Sequence, residues 1–351
     1  VPLIQIDPET DPRWDQFVEE HPKGLIYHLS GWKKVLEKSF RHQKGYYFCI
    51  TENDSIRAAL PVFEVKSWIL GNRLVSVPFT TLCDPLTSSV EECRFLLDAV
   101  FNLSNHLKAR SIEIRTLSPC EFLDQRFGRT DAFVHHYLDL KSPMEQIRKN
   151  FHRTCVRQRI DRALNSDLKI REGESIEDLR QFFSLYLITR KRNGVITQPW
   201  RFFEAMRNTF LPGGLFKLLL ADYGDKTVGG IILFKYKNRV SVEFAASDNN
   251  FFNISPNHLL FWEAILSSYS EGYEIFDFGR TSLCNESLMS FKDRWGTKRL
   301  SLPQFFYPKE LSSKSGGLYE TAKYRLFTKL IAKSPYSTTR WIGEFCYRHM
   351  G

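Results

Sequence analysis

Two short stretches of this 351-residue chain set polar groups among aromatic rings: FDFGR, with Asp277 and Arg280, and FKDRWG, with Phe291, Lys292 and Trp295. Asp277 and Arg280 close an apolar strand, where the side chains of an open α/β sheet commonly face a cleft. Asp277 can take a proton or orient a base, and Arg280 can hold a phosphate or carboxylate. Equally, the two can pair with each other as buried ions supporting the strand end. Lys292 brings a positive charge, and Phe291 and Trp295 supply apolar surroundings in which it acts more strongly than in water. The competing reading makes the two aromatics core anchors and Lys292 a surface residue.

Further candidates are scattered along the chain. Asn257 and His258 open a helix, where free backbone N–H groups attract anions; a capped helix with Pro256 in its first turn explains them as well. Arg190, Lys191 and Arg192 precede Gly194 at a helix end, a place that favours cations without a ligand and also suits forked contacts to phosphate. Lys149, Arg153 and Arg157 are spaced by four, so on a helix they share one face. No phosphate-binding glycine loop, dinucleotide fingerprint or G-x-S-x-G elbow is present. His135 and His136 are adjacent, so on a strand they face opposite sides and make no ligand pair. The seven cysteines stand singly, which argues against structural zinc or a disulfide framework.

The elements that must carry these residues occur twice. Tyr46–Ile50, Ile56–Val65 and Arg73–Pro78 read as strands parted by turns, followed by a helix at Val90–Leu107 and a strand at Ser111–Arg115. Phe216–Ala221, Thr227–Tyr236 and Arg239–Ala246, a helix at Pro256–Ser270 and a strand at Glu274–Phe278 repeat that order. Helical sequence precedes each meander: Pro12–Glu20 and Gly31–Ser39, then Ile176–Lys191 and Trp200–Thr209. Duplication of one α/β unit explains this. The expected division is a first module over 1–140, a second over 141–311 and a basic helical tail over 312–351. A linking helix over 142–165 has Ile147, Phe151, Ile160 and Leu164 as its apolar set. The tail's set is Leu318, Tyr319, Ala322, Leu326, Leu330 and Ile331, fit to pack on the second module or to lie on an anionic membrane.

A net charge of +9 is concentrated in two segments. Between Lys141 and Arg171 nine Lys/Arg face three Asp/Glu, and between Lys309 and Gly351 eight face three, so these segments together hold +11 and the rest is slightly acidic. Localised positive charge points to an anionic partner, such as tRNA, a nucleotide-linked precursor or an acidic membrane face. No apolar run reaches the roughly 20 residues of a membrane-spanning helix.

From Asp248 to Gly296 a proline-opened helix, a strand ending in FDFGR and then FKxxWG resemble the Fem-type aminoacyltransferases and their relatives associated with envelope or exopolysaccharide systems. FHRTCVRQRIDRA and TRKRNGVITQPWRFF extend the resemblance more weakly. It implies an α/β (α+β) fold of two tandem GNAT-like modules, each a mainly antiparallel central sheet flanked by helices. It implies metal-independent transfer of an amino acid or acyl group onto an amine of a cell-envelope or polysaccharide precursor, nucleotide- or lipid-linked, in the cytoplasm or docked at the inner membrane face. The lysine of the family's Phe-Lys motif lies at the transfer site, a role that falls here on Lys292 beside Phe291. In the GNAT fold the strand bearing Glu243 borders the donor carbonyl, making Glu243 an alternative base. Coenzyme A-binding GNAT enzymes carry a glycine loop where this chain reads FFNISPNH, and the helical hairpin that some Fem enzymes use for tRNA is not visible. The donor is therefore either aminoacyl-tRNA or an acyl group on coenzyme A or a carrier protein, with no permanently bound cofactor. A non-catalytic alternative uses Lys149, Arg153 and Arg157 to bind RNA or another anionic polymer.

Overall fold

The computed structural model describes residues 2–117, 123, 126–312 and 322–350. By contacts the chain divides into two compact units. The first comprises Val1–Phe133, Ser301–Thr321 and Glu344–Gly351, and the second Val134–Leu300 and Ala322–Gly343. Each contains a seven-stranded sheet.

In chain order the first half contributes β1 (Leu3–Ile6), α1 (Arg13–Glu20), α2 (Ser30–Ser39), β2 (Gln43–Glu52), β3 (Ser55–Val65), β4 (Arg73–Val75), α3 (Val90–His106), β5 (Ser111–Arg115), β6 (Gly128–Thr130) and β7 (Phe133–Asp139). There follow α4 (Met144–Lys149), α5 (Gln158–Leu164), β8 (Leu168–Glu172), α6 (Ile176–Arg192), α7 (Trp200–Phe210), β9 (Phe216–Tyr223), β10 (Lys226–Tyr236) and β11 (Arg239–Ser247). The last stretch holds α8 (Pro256–Ser270), β12 (Ile275–Ser282), α9 (Glu286–Asp293), β13 (Lys298–Ser301), β14 (Gln304–Tyr307), α10 (Ala322–Lys333) and α11 (Tyr336–Tyr347).

The duplicated order expected from the sequence is present, strand for strand. One sheet runs β1-β2-β3-β4-β5-β14-β6 and the other, read from its opposite end, β8-β9-β10-β11-β12-β7-β13. The first four strands of each are antiparallel neighbours, and the fifth joins the fourth in parallel. Parallel neighbours need a crossover, which α3 supplies in the first sheet and α8 in the second. Local chemistry fixes these elements: Ser89 and Glu92 form a reciprocal capping box on α3, as Ser175 and Asp178 do on α6. Asn53 and Asp54, both at positive φ, close the β2–β3 hairpin.

The sixth strand of each sheet comes from far away in sequence. β7 leaves the first half to pair within the second sheet, and β14 returns from the second half to lie between β5 and β6. Residues 304–307 therefore pair with 112–115 on one side and 128–130 on the other.

The single linking helix over 142–165 is corrected by the structure, which breaks it at Asn150–His152. Phe151 is drawn into the core against Trp262 and Trp295, and the His152 N–H donates to the Arg294 carbonyl. The His152 ring then accepts from the Cys155 N–H and restarts the chain as a π-helical turn, Arg153–Arg157, leading into α5. Tertiary contacts thus override a spacing that reads as continuous. Leu164, placed on the apolar face, is 51 % exposed. In the C-terminal segment Ile331 is buried, whereas Leu330 is 60 % exposed. Leu318 and Tyr319 lie outside the described residues.

Candidate functional site

β12 is where the sequence motif becomes geometry. Phe276 and Phe278 are buried in the second unit's core, and Asp277 between them faces the other way at 4 % exposure. The Asp277 carboxylate accepts from Arg239 Nη1 at 2.7 Å and from the Gly279 N–H at 2.7 Å, and lies 3.2 Å from His135 Nε2. Burial pulls its pKa upward, but His135, Arg239 and the Gly279 N–H outweigh that and hold it well below the usual carboxylate range. Asp277 therefore pairs with Arg239 of β11 and His135 of β7.

Gly279 sits at φ +73°, a conformation that other residues adopt only under strain. That turn points its N–H back to Asp277 while its carbonyl accepts from Lys292 Nζ at 3.0 Å. The Arg280 carbonyl accepts from the same ammonium, also at 3.0 Å. Two of the three N–H donors of Lys292 are thereby engaged, and the third has no partner among the described residues.

Lys292 is delivered by α9, whose first turn is capped by the Asn285 side chain. At 6 % exposure it is not a surface residue. Burial lowers its pKa to about 8; Arg280 pushes the same way, and Asp277 opposes them. Trp295, fully buried, anchors the end of the motif among Phe151, Phe261, Phe278 and Phe291. Gly296 turns the chain at φ +70°. A side chain there would press on Asn150, so FKxxWG reads as lysine, anchor and close turn.

The parallel pairing of β11 with β12 covers only Arg239–Ser241 against Ile275–Asp277. β11 then runs on to Ser247 and β12 to Ser282 without pairing to each other, so the strands part where Asp277 stands. Within the parted stretch of β11 the register with β10 slips between Ile232 and Leu233, leaving Glu243 as the extra, bulged residue. Bulges of this kind re-aim side chains and are frequent beside active sites.

Of the other candidates, His258 joins the aromatic wall, lying parallel to Trp295 at 5.9 Å and edge-on to Phe291 at 6.0 Å. Burial, with the charge of Arg159, lowers its pKa to about 4. Asn257 instead donates to Ser247 Oγ at 3.0 Å, and Arg192 donates to the Ser247 carbonyl at 3.3 Å while its guanidinium covers Phe252. Arg190 gives two donors to the Ile196 carbonyl, at 2.9 and 2.6 Å, and stacks over Tyr186. The hydrogen bonds described for these three go to Ser247 and Ile196 and not to Asp277 or Lys292. Arg153 and Arg157, despite the broken helix, line one groove of about 660 Å³ with Arg148, Lys149, Glu145 and Asp161.

His135 and Arg239 beside Asp277, and His136 beside Asp293, are neighbours that the sequence did not bring to this cluster. The ring of His136 stands 3.3 Å from Thr281 Oγ1 and 3.5 Å from Asp293, with its pKa lowered to about 4 by burial and then by the Lys292 charge. As the alternation of a strand demands, His135 and His136 serve opposite faces. Their signal in the sequence was a strand-like HHY, without any sign of which sheet would receive it. Among the described residues no cluster of His, Cys, Asp or Glu can hold a metal ion. Among the same residues no helix is long and apolar enough to cross a membrane.

The duplicated sheets, whose parallel strands part beside a buried lysine, make a tandem GNAT-like α/β fold, and the chain is similar to acyltransferases. Residues 150–292 match the acetyltransferase (GNAT) domain family. The chain is 20 % identical over 317 residues to the UDP-N-acetylmuramoylpentapeptide-lysine N(6)-alanyltransferase of Weissella viridescens, covering 83 % of this chain and 91 % of that one. Its fold matches the crystal structure of FemX with a TM-score of 0.72 at 15 % identity, over 90 % of this chain and all of the other. A tandem GNAT protein from the clavulanic acid biosynthesis pathway matches with a TM-score of 0.53 at 12 % identity, over 87 % of this chain and 97 % of the other.

Proposed function

We propose that the chain moves an amino acid or other acyl group from an activated ester or thioester onto an amine of a nucleotide- or lipid-linked cell-envelope precursor, with Lys292 at the reacting centre. The observation that carries this reading is the Lys292 ammonium, buried and hooked to the Gly279 and Arg280 carbonyls where β11 and β12 part. The relative's acceptor, a lysine side chain on a nucleotide-linked peptide, supports an amine acceptor and an anionic precursor.

In this reaction the acceptor nitrogen attacks the donor carbonyl carbon, and the carbonyl oxygen becomes an oxyanion. Collapse of that intermediate forms the amide and breaks the bond to the leaving oxygen or sulfur, which takes up the proton lost by the amine. The free N–H of Lys292 offers the oxyanion a charged donor in a dry setting, where such a contact is strongest. Asp277, held by three partners and kept strongly acidic, fixes Gly279 and hence the carbonyls that aim Lys292. A carboxyl held so low is a poor proton acceptor near neutrality. Glu243 on the bulge is the better placed base. Arg280, at the same strand end, is the contact for an anionic group of the substrate, and Phe291, held from behind by the buried Trp295, shapes its apolar wall.

The donor is aminoacyl-tRNA or an acyl group on coenzyme A or a carrier protein, and the place of work is the cytoplasm. Incubating the purified protein with labelled aminoacyl-tRNA and, separately, with labelled acyl-coenzyme A tests both donors against an amine-bearing nucleotide-linked muropeptide. Label should pass to the acceptor from one of them and fail to do so in Lys292→Ala. Transfer undiminished in that variant rules out the proposed role.

A second reading rests on the groove bearing Lys149, Arg153 and Arg157, whose side chains make no ion pair among the described residues. It would hold the phosphates of RNA or another polyanion. Binding that weakens with salt and with Arg153→Ala/Arg157→Ala, yet survives Lys292→Ala, is its signature.

A further inference from the structure

Trp68 is the most exposed large apolar side chain among the described residues, 81 % open to solvent, and Ile69 and Leu70 beside it are 49 % and 48 % exposed. These residues form the tip of the turn between β3 and β4 in the first unit. The turn is built rather than loose. Ser67 Oγ accepts from the Leu70 N–H at 2.9 Å, and the Gly71 N–H donates to the Ser67 carbonyl at 2.7 Å. Gly71 takes φ +78° with the Arg110 side chain packed where a Cβ would stand. Ser67 Oγ is also bonded to His349 Nδ1 at 3.0 Å, and Trp68 rests edge-on against His349 and Phe345.

A fixed turn that presents three consecutive large apolar side chains to water is unfavourable unless something covers them. Charge around the tip indicates what does. Lys66, Lys108, Arg110 and Arg348 are all exposed, and the last three make no ion pair among the described residues. The Arg110 N–H donates to the Asn72 carbonyl at 2.7 Å, which sets residues 108–110 beside the tip. Glu64, 3.6 Å from Lys66, is buried at 1 % exposure and so adds little negative surface. An apolar wedge headed by a tryptophan and rimmed by cations matches an anionic lipid surface: indole at the headgroup level, aliphatic groups in the acyl boundary, cations on phosphates.

We propose that the Trp68–Leu70 turn is a docking point by which the chain inserts shallowly into an anionic phospholipid membrane. This goes beyond the transferase reading and does not depend on it, since it rests on a surface in the other unit.

Cosedimentation with phosphatidylcholine vesicles, with and without phosphatidylglycerol, tests it. The wild-type chain should bind when phosphatidylglycerol is present and lose affinity as salt is raised. Trp68→Ser/Leu70→Ser should weaken that binding by at least about tenfold, and Lys108→Ala or Arg348→Ala by roughly fivefold each. Both classes of variant alter exposed side chains, so an unchanged circular dichroism spectrum and melting temperature serve as controls. The proposal is overturned if the double variant binds vesicles as the wild type does, or if the wild type ignores phosphatidylglycerol. A wild-type dimer that the double variant converts to monomer, with no vesicle binding by either, would also overturn it by showing that a second copy covers the tip.

Discussion

The two sheets place a carboxylate at the same point and use it differently. In the first, the parallel register of β4 and β5 runs to Val75 and Glu113; in the second, that of β11 and β12 runs to Ser241 and Asp277. The strand sequences align there as IEIRT and FDFGRT, differing by one inserted glycine. Glu113 pairs at 2.7 Å with Arg115 of its own strand. Asp277 instead receives the Gly279 N–H, and the inserted glycine presents a carbonyl to Lys292. A duplicated scaffold gains a seat for a buried ammonium through one residue able to adopt positive φ, together with a helix that delivers a lysine to it.

Substitutions in the two sheets should therefore separate activity from stability. The largest effect is expected of Lys292→Met, which should lower the transfer rate by about 10²–10³-fold, the usual consequence of losing an oxyanion donor. Removing a buried ammonium should leave stability equal or higher, as read by urea unfolding. A loss of rate that merely tracked a loss of folded protein would erase the distinction between the sheets.

Asp277→Asn comes next, leaving Arg239 and His135 without their anion at a cost of about 3 kcal/mol in stability. Gly279→Ala should cost about 1–2 kcal/mol through its backbone conformation, with a further fall in transfer rate as the carbonyls that hold Lys292 shift. Glu113→Gln, the counterpart in the first sheet, should cost no more than about 1 kcal/mol and leave the rate within about twofold. If Glu113→Gln slowed transfer as much as Asp277→Asn, the first sheet would share in the chemistry.

A pH profile sharpens the same contrast with a smaller signal. The Lys292 pKa falls from 10.5 in the unfolded chain to about 8 in the folded one. Between those values the unfolded state binds a proton that the folded state lacks, so stability rises with pH across the window. Lys292→Met should remove that slope. Activity that needs the charged amine should instead be held below about pH 8 and fall above it, as initial rates at saturating substrate would show.

Much of this was legible in the sequence, for identifiable reasons. The meanders announced themselves through apolar runs cut by turn residues, and FDFGR with FKxxWG marked the strand end and the motif that meet at Lys292. Contacts set by distant chain were not legible. His135 reaches Asp277 because β7 enters the second sheet, and no local pattern specifies which sheet an HHY strand will join. The basic helix over 142–165 had a continuous spacing, yet Phe151 and His152 obey Trp295 and Arg294, more than 140 residues away. The bonds of Arg190 to the Ile196 carbonyl and of Arg192 to the Ser247 carbonyl were not legible either, because a helix end rich in arginine reads the same whatever acceptor it meets.

The sixth-strand exchange also bears on how the chain matures during synthesis. The gap between β5 and β6 stays unfilled until residues 304–307 emerge from the ribosome, so the N-terminal half cannot complete its sheet ahead of the C-terminal half. Truncated nascent chains should accordingly remain sensitive to protease until residues 304–307 have been made.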